Sequence, residues 1–172
     1  MEFSSKDNYF MNLALNEAEI ALNNGDFPVG AVLVIDGRLI SKRRNTLYCD
    51  TNWASHAELS IINENSKIIK QSVKNNNSKV VLYTTLEPCL MCLGAAVLHR
   101  VARIVFACPD PHGGATLLNP NNLTEWYIRK WPKIQGGLCR EQAYILFIQF
   151  MKQKNTPSWN KILKLFEDMY NK

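Results

Sequence analysis

Two short clusters hold residue types that can do chemistry together: His56-Ala57-Glu58 and Pro88-Cys89-Leu90-Met91-Cys92. Cys89 and Cys92 stand at i and i+3, so on a helical turn their side chains share one face. A helix N-terminus, the positive end of the helix dipole, favours thiolate over thiol, and both sulfurs can then reach one metal. His56 and Glu58 would point to nearly opposite sides of a regular helix, so they converge only at its very beginning. The spacing therefore predicts two helix N-termini facing each other. One imidazole and two thiolates make a three-ligand Zn²⁺ site with its fourth position open to water, as a catalytic rather than a closed structural site requires. Zinc lowers the pKa of such a water to about 7, and Glu58, which is not a ligand, can take that proton and hand it on. The chemistry is hydrolysis without an organic cofactor.

Each residue alone has a plainer reading, with Cys89 and Cys92 as core cysteines and His56 as a surface histidine at a helix cap. Those readings together leave unexplained the proline before Cys89, the presence of Glu58, and the placement of both clusters at helix starts. A closed four-ligand site that recruits Cys49 or Cys108 is the remaining alternative. Otherwise Cys49, Cys108 and Cys139 are expected to be ordinary buried thiols.

The elements that must position these clusters follow from periodicity. From Asp7 to Asn24 the apolar residues Phe10, Leu13, Ala14, Ala18 and Ala21 recur at steps of three and four, and Gly25 supplies a stop, which predicts a first helix. Val29 to Ile35 reads as a buried strand, Asp36-Gly37 as a two-residue hairpin turn, and Arg38 to Lys42 as the returning strand. Ala57 to Asn63 reads as a helix, Asn75-Asn76-Asn77 as a loop, and Lys79 to Thr85, rich in Val, Tyr and Thr, as a central strand. Leu90 to Arg100 is apolar with small residues at Gly94, Ala95 and Ala96, which predicts a helix lying close on the sheet. The strand Arg103 to Ala107 follows it, and strand, helix, strand makes a parallel crossover.

Between Pro109 and Gly137 prolines, glycines and asparagines break any periodicity, and the expectation is a structured functional loop. Its Trp126, Tyr127 and Trp131, interleaved with Arg129 and Lys130, read either as caps on a core or as a stacking platform for nucleotides. Two helices close the chain, over Leu138 to Lys152 and Trp159 to Tyr170.

Composition narrows the class. With 172 residues and 47% apolar content, the chain is expected to form one domain over residues 1–172. Residues 1–25 carry neither a long apolar run nor a basic stretch followed by one, so a soluble cytoplasmic protein is expected. The cysteines number five, an odd count that argues against a disulfide framework and turns attention to metal or catalysis. A net charge of +5 is compatible with a polyanionic partner and equally with a solvated surface.

The chain resembles the bacterial type of tRNA adenosine deaminase, within the cytidine-deaminase-like superfamily, whose signature is H-x-E…P-C-x-x-C. The resemblance runs over about residues 9–115, through Phe27-Pro28-Val29-Gly30-Ala31-Val32-Leu33-Val34, Asn45, His56-Ala57-Glu58, Thr85-Leu86-Glu87-Pro88-Cys89-Leu90-Met91-Cys92 with Gly94-Ala95, and Arg103-Ile104-Val105-Phe106. It implies an α/β fold, a five-stranded mixed sheet between helices in three α/β/α layers, and Zn²⁺ on His56, Cys89 and Cys92 with Glu58 as the catalytic proton carrier. It implies further that Asn45 holds the target base, that Asp110 lies beside the flanking nucleotide or ribose, that Phe27 contacts substrate, and that the protein is a homodimer.

Departures from the family bear on the substrate. Asn52-Trp53-Ala54-Ser55 replaces the usual Asp-Pro-Thr-Ala before the histidine, which puts an indole at a small loop corner. His112-Gly113-Gly114-Ala115 replaces a Lys-Thr-Gly-Ala stretch, and His112 reads as a turn residue or as a contact to base or phosphate. Three functions are thus in view: a deaminase of adenosine in a tRNA anticodon loop, a deaminase of a free nucleobase or nucleoside such as guanine, cytosine or adenine, and a non-catalytic zinc-binding partner subunit. The intact Glu58 argues against the last, because a subunit freed from catalysis has no chemical use for it.

Overall fold

A computed structural model describes residues 2–74 and 79–170, so the loop expected at Asn75-Asn76-Asn77 lies outside the described residues. The first helix, α1 (Ser5–Asn23), begins with a reciprocal cap in which the Ser4 hydroxyl accepts the Asp7 N–H at 3.1 Å and the Asp7 carboxylate accepts the Ser4 N–H at 2.9 Å. Its apolar stripe of Phe10, Met11, Ala14, Leu15, Ala18, Ala21 and Leu22 is buried against the sheet.

The first strands, β1 (Gly30–Ile35) and β2 (Arg38–Arg44), form the expected hairpin, with Asp36 and Gly37 both left-handed at φ 51° and 76°. All of β1 is buried, as a strand covered on both faces must be. Gly30 is where α1 crosses: a Cβ there would lie 1.9 Å from the Ala14 carbonyl oxygen, so only glycine permits that approach.

Helices α2 (Ala57–Glu64) and α3 (Ser66–Lys74) precede β3 (Val80–Leu86), which is followed by α4 (Leu90–Leu98) and β4 (Arg103–Cys108). β3 pairs antiparallel with β1 and parallel with β4, which confirms the crossover. The segment expected to be a loop is better built than that: it carries a 3₁₀ turn (Pro120–Asn122), a short helix α5 (Glu125–Ile128) and a fifth strand, β5 (Lys133–Gly136), parallel to β4. Four residues of edge strand are too few to show a period-two pattern, whereas α3 does carry a helical one, with Ile69 and Val73 at i and i+4, which escaped the sequence reading. The sheet order is β2-β1-β3-β4-β5. Helices α6 (Arg140–Lys154) and α7 (Pro157–Tyr170) complete the chain. α1 and α6 touch each other and one face of the sheet, while α2, α3 and α4 cover the other, which is the α/β/α arrangement expected.

A polar cluster fixes α1 to the sheet. Arg103 on β4 donates to Asp7 at 2.7 Å, the Tyr83 hydroxyl on β3 donates to the same carboxylate at 2.7 Å, and Arg103 Nε donates to Gln135 on β5 at 2.7 Å. These bonds run across β3, β4 and β5, so the strands whose ends carry the site are held in one register.

Candidate active site

The two chemical clusters sit where the spacing places them. His56 is the N-cap of α2 and Cys89 the N-cap of α4, both in extended backbone, and neither side chain caps its own helix. Both are therefore available to something else. His56 Nδ1 lies 3.6 Å from Cys89 Sγ and 3.5 Å from Cys92 Sγ, and the three donor atoms all fall within 4.8 Å of one another.

Those distances test whether zinc fits. A tetrahedral centre with Zn–N of about 2.05 Å and Zn–S of about 2.3 Å has an N···S edge of about 3.6 Å. Among the described residues His56, Cys89 and Cys92 form the group able to hold a metal, and no fourth protein donor joins them. Cys49 is exposed on the loop after β2, not buried as expected, and Cys139 is half-buried at the start of α6. Cys108 meets the expectation, a buried thiol pushed up to about 12 by burial.

The three groups share their protons unequally. The Cys89 thiol is drawn down to about 4, first by a hydrogen bond from Cys92 and then by His56. Cys92 is driven upward by the same Cys89 sulfur and by burial, while His56 is raised by its hydrogen bond with Cys89. Two sulfurs converging beside an imidazole form a donor set suited to a divalent cation of zinc's softness, which would hold both as thiolates. When bound there, zinc supplies the Lewis acidity that makes a hydrolytic nucleophile available near neutral pH.

Glu58 is in the first turn of α2 and 3% exposed, and burial pushes its carboxyl up to about 7. A carboxyl poised there can both accept and release a proton at neutral pH. It lines a cavity of about 230 Å³ together with Phe27, Asn45, Trp53, His56, Cys89, Asp110 and Trp159. The structure thus brings Phe27, Asn45 and Asp110 to one cavity with the metal donors. Buried Asn45 spends Oδ1 on the Leu47 N–H at 2.8 Å, which leaves Nδ2 to meet a ligand. Trp53 is 86% exposed at the rim.

Not every sequence expectation converges there. His112 is exposed and off the cavity lining, donating its N–H to Asp110 Oδ1 at 2.9 Å, so it is a turn residue. Tyr127 and Trp131 are packed partly buried against the core, and the Trp126 face is covered by Lys130 Nζ at 3.1 Å from its centroid. Tyr127 and Trp131 line a different depression, beside α4, and none of the three lines the cavity at the active site.

Two residues at the site escaped the sequence reading. Glu87, buried just before Pro88, accepts the Asp110 N–H and the Thr116 N–H, each at 3.0 Å, and also the Thr116 hydroxyl. It thereby pins the loop that carries Asp110, and its position inside the Thr-Leu-Glu-Pro-Cys segment was the available signal. Trp159 comes from α7, and nothing in its local sequence links it to the other lining residues.

Fold and site together define a zinc-dependent hydrolytic deaminase. Residues 4–108 match the family described as the cytidine and deoxycytidylate deaminase zinc-binding region. The chain is 34% identical to the tRNA-specific adenosine deaminase of Bacillus subtilis (strain 168) over 87% of its length and 91% of that protein. It is 39% identical to the tRNA-specific adenosine deaminase of Aquifex aeolicus (strain VF5) over 86% of its length and 95% of that protein. A solved structure from work on A-to-I editing by tRNA:A34 deaminases at the wobble position of transfer RNA superposes with a TM-score of 0.64 at 30% identity, covering 80% of this chain and 98% of that one. A guanine deaminase from Nitrosomonas europaea shares the fold at 19% identity and a TM-score of 0.68, with 83% of each chain covered. The chain belongs to the cytidine and deoxycytidylate deaminase family of zinc-dependent hydrolases.

Proposed function

We propose that the chain deaminates adenosine within a tRNA anticodon loop, giving inosine and ammonia. The observation that carries this reading is the identity to tRNA-specific adenosine deaminases along nearly the whole length of both chains. The cavity supports it: about 230 Å³ is below the roughly 300–1,000 Å³ of sites for drug-sized ligands, so it takes a single base and leaves ribose and phosphates outside. A base in a polynucleotide reaches such a pocket by swinging out of its stack.

In the proposed reaction a C6–O bond forms and the C6–N bond breaks. Glu58 removes a proton from the attacking water, protonates a ring nitrogen, and passes a proton to the departing amine, which leaves as ammonia. Asn45 holds the base edge through its side-chain amide, Phe27 contacts its ring, and Asp110, anchored by Glu87, meets the ribose or the neighbouring nucleotide. Residues 1–172 act as one catalytic domain, in the cytoplasm, where its substrate would be found. We further propose a homodimer, built on the apolar surface of α4 and the loop beside it, where Leu90 is 66%, Leu98 56% and Leu117 97% exposed.

A second reading, deamination of a free nucleobase such as guanine, is favoured by Trp53 at the cavity rim. Deamination of an anticodon stem-loop and of free bases across a salt series separates the two. Lys and Arg contacts to phosphates make stem-loop binding fall steeply as salt rises, and a free base offers no such dependence. Salt-insensitive activity on a free base, with none on the stem-loop, overturns the tRNA reading.

A further inference from the structure

The metal donors, Glu58 and Asn45 all come from the first two thirds of the chain, but one wall of their cavity does not. Trp159, in the first turn of α7, lines the same cavity. Its indole stacks on Phe27, with centroids 5.6 Å apart and planes at 28°, and stands edge-on to Phe150 of α6, at 5.2 Å and 86°. Phe27 rests in turn on Phe147 and Phe150, both fully buried, so the indole is backed by core and cannot withdraw inward. The corner before α7 fixes where its first turn starts: Asn155 is left-handed at φ 42°, and the Thr156 hydroxyl accepts the Trp159 backbone N–H at 3.3 Å. The result is a half-buried aromatic group that, together with Phe27, forms an apolar wall of the cavity that Glu58 and Asn45 also line.

Trp53, the other indole on this lining, is almost wholly exposed and stacks on no aromatic ring among the described residues, so it lacks that bracing. A planar base entering the cavity meets Asn45 for its polar edge and needs an apolar surface for its ring. We infer that Trp159 is a specificity-determining residue, the surface on which the target base stacks, so that part of substrate choice resides in α7, outside residues 4–108 that match the family's zinc-binding region. The inference rests on the chain acting on a nucleobase, but not on that base being in tRNA.

The test uses the full zinc-loaded chain. Replacing Trp53, Trp126 and Trp131 by Phe leaves Trp159 as the sole indole of the four, and adding Glu58→Gln slows turnover so that binding can be titrated. The probes are an adenosine-containing anticodon stem-loop, adenine, guanine and cytosine. Trp159 emission should change saturably with whichever probe the parent enzyme deaminates. In the otherwise unaltered chain, Trp159→Ala should raise KM for that substrate about 5- to 100-fold with kcat nearly unchanged, and Trp159→Phe should restore most of the loss. If the alanine variant does not fold, Trp159→Leu and the emission titration decide. No emission change with any probe, or an unchanged KM in a folded alanine or leucine variant, overturns the inference. Stem-loop deamination with silent Trp159 emission sinks this inference and leaves the tRNA reading standing, whereas an emission change with guanine and no action on the stem-loop does the reverse.

Discussion

His56 Nδ1 stands 3.5 Å from Cys92 Sγ, although 36 residues separate them in the chain. The two are the cap and the third residue of different helices, and the approach exists because the N-termini of α2 and α4 meet at one end of the sheet. A metal held there depends on both helices at once. Purified protein should carry about one zinc per chain. Cys92→Ser and His56→Ala should each lower the bound metal and the deaminase activity together, as read by metal analysis and ammonia release; full zinc occupancy in both variants would exclude this ligand set.

Glu58→Gln should keep zinc and fold while losing about 10²–10⁴-fold in turnover, because the nearly isosteric amide cannot accept and deliver the proton. Single-turnover rates beside metal content check this. Near-parental rates would assign the proton transfers to another group.

Asn45→Ala should reduce kcat/KM without releasing zinc, since Asn45 is not one of the three donors and its Oδ1 bond to Leu47 is local. Loss of a base-edge hydrogen bond predicts about a tenfold effect or more. Kinetics with zinc quantified on the same samples decide it.

Gly114→Ala should damage the loop of Asp110. The added Cβ would come 2.5 Å from the Glu87 carboxyl carbon and 2.6 Å from the Asp110 carbonyl oxygen, so one of them must move. A shift of about 1 Å in a positioning group can cost about 10²-fold in rate. Unchanged kinetics with zinc retained would show that the loop does not position substrate.

Asp7→Asn should destabilise the protein by about 3 kcal/mol at neutral pH, because it leaves Arg103 facing an uncharged partner in a mostly buried setting. Burial works to raise the Asp7 carboxyl, but hydrogen bonds from Arg103, Tyr83 and Ser4 outweigh it and hold the group well below the usual carboxylate range. A depressed folded-state pKa contributes stability that is present above the unfolded value of about 3.9 and is lost as pH falls below it. Urea unfolding across acid pH should therefore show the parent losing stability more steeply than Asp7→Asn.

The convergence of the two chemical clusters was legible from residue types alone, for a local reason. Cys89 and Cys92 share a helical turn and His56 and Glu58 share another, so their relations are fixed by backbone geometry over a few residues. The alternation and turn chemistry around Asp36-Gly37 likewise placed the hairpin, because a two-residue turn with both residues left-handed is written in the dipeptide itself. The weak edge strand β5 was illegible, since four residues bury too little apolar surface to leave a pattern, while the amphipathic spacing of Ile69 and Val73 in α3 was there to be found.

What the sequence by itself determined is a set of residue types and spacings: three donors suited to zinc, an acid two residues from one of them, and most of the strands and helices that carry them, all from relations within a few residues. What only the tertiary structure decided is the shape of the pocket. Glu87 reaches Thr116 across 29 residues, and Trp159 reaches Phe27 only after α6 and α7 have folded back over the sheet. Such contacts depend on where whole elements dock, which side-chain packing over the entire core settles and no local run of residues records.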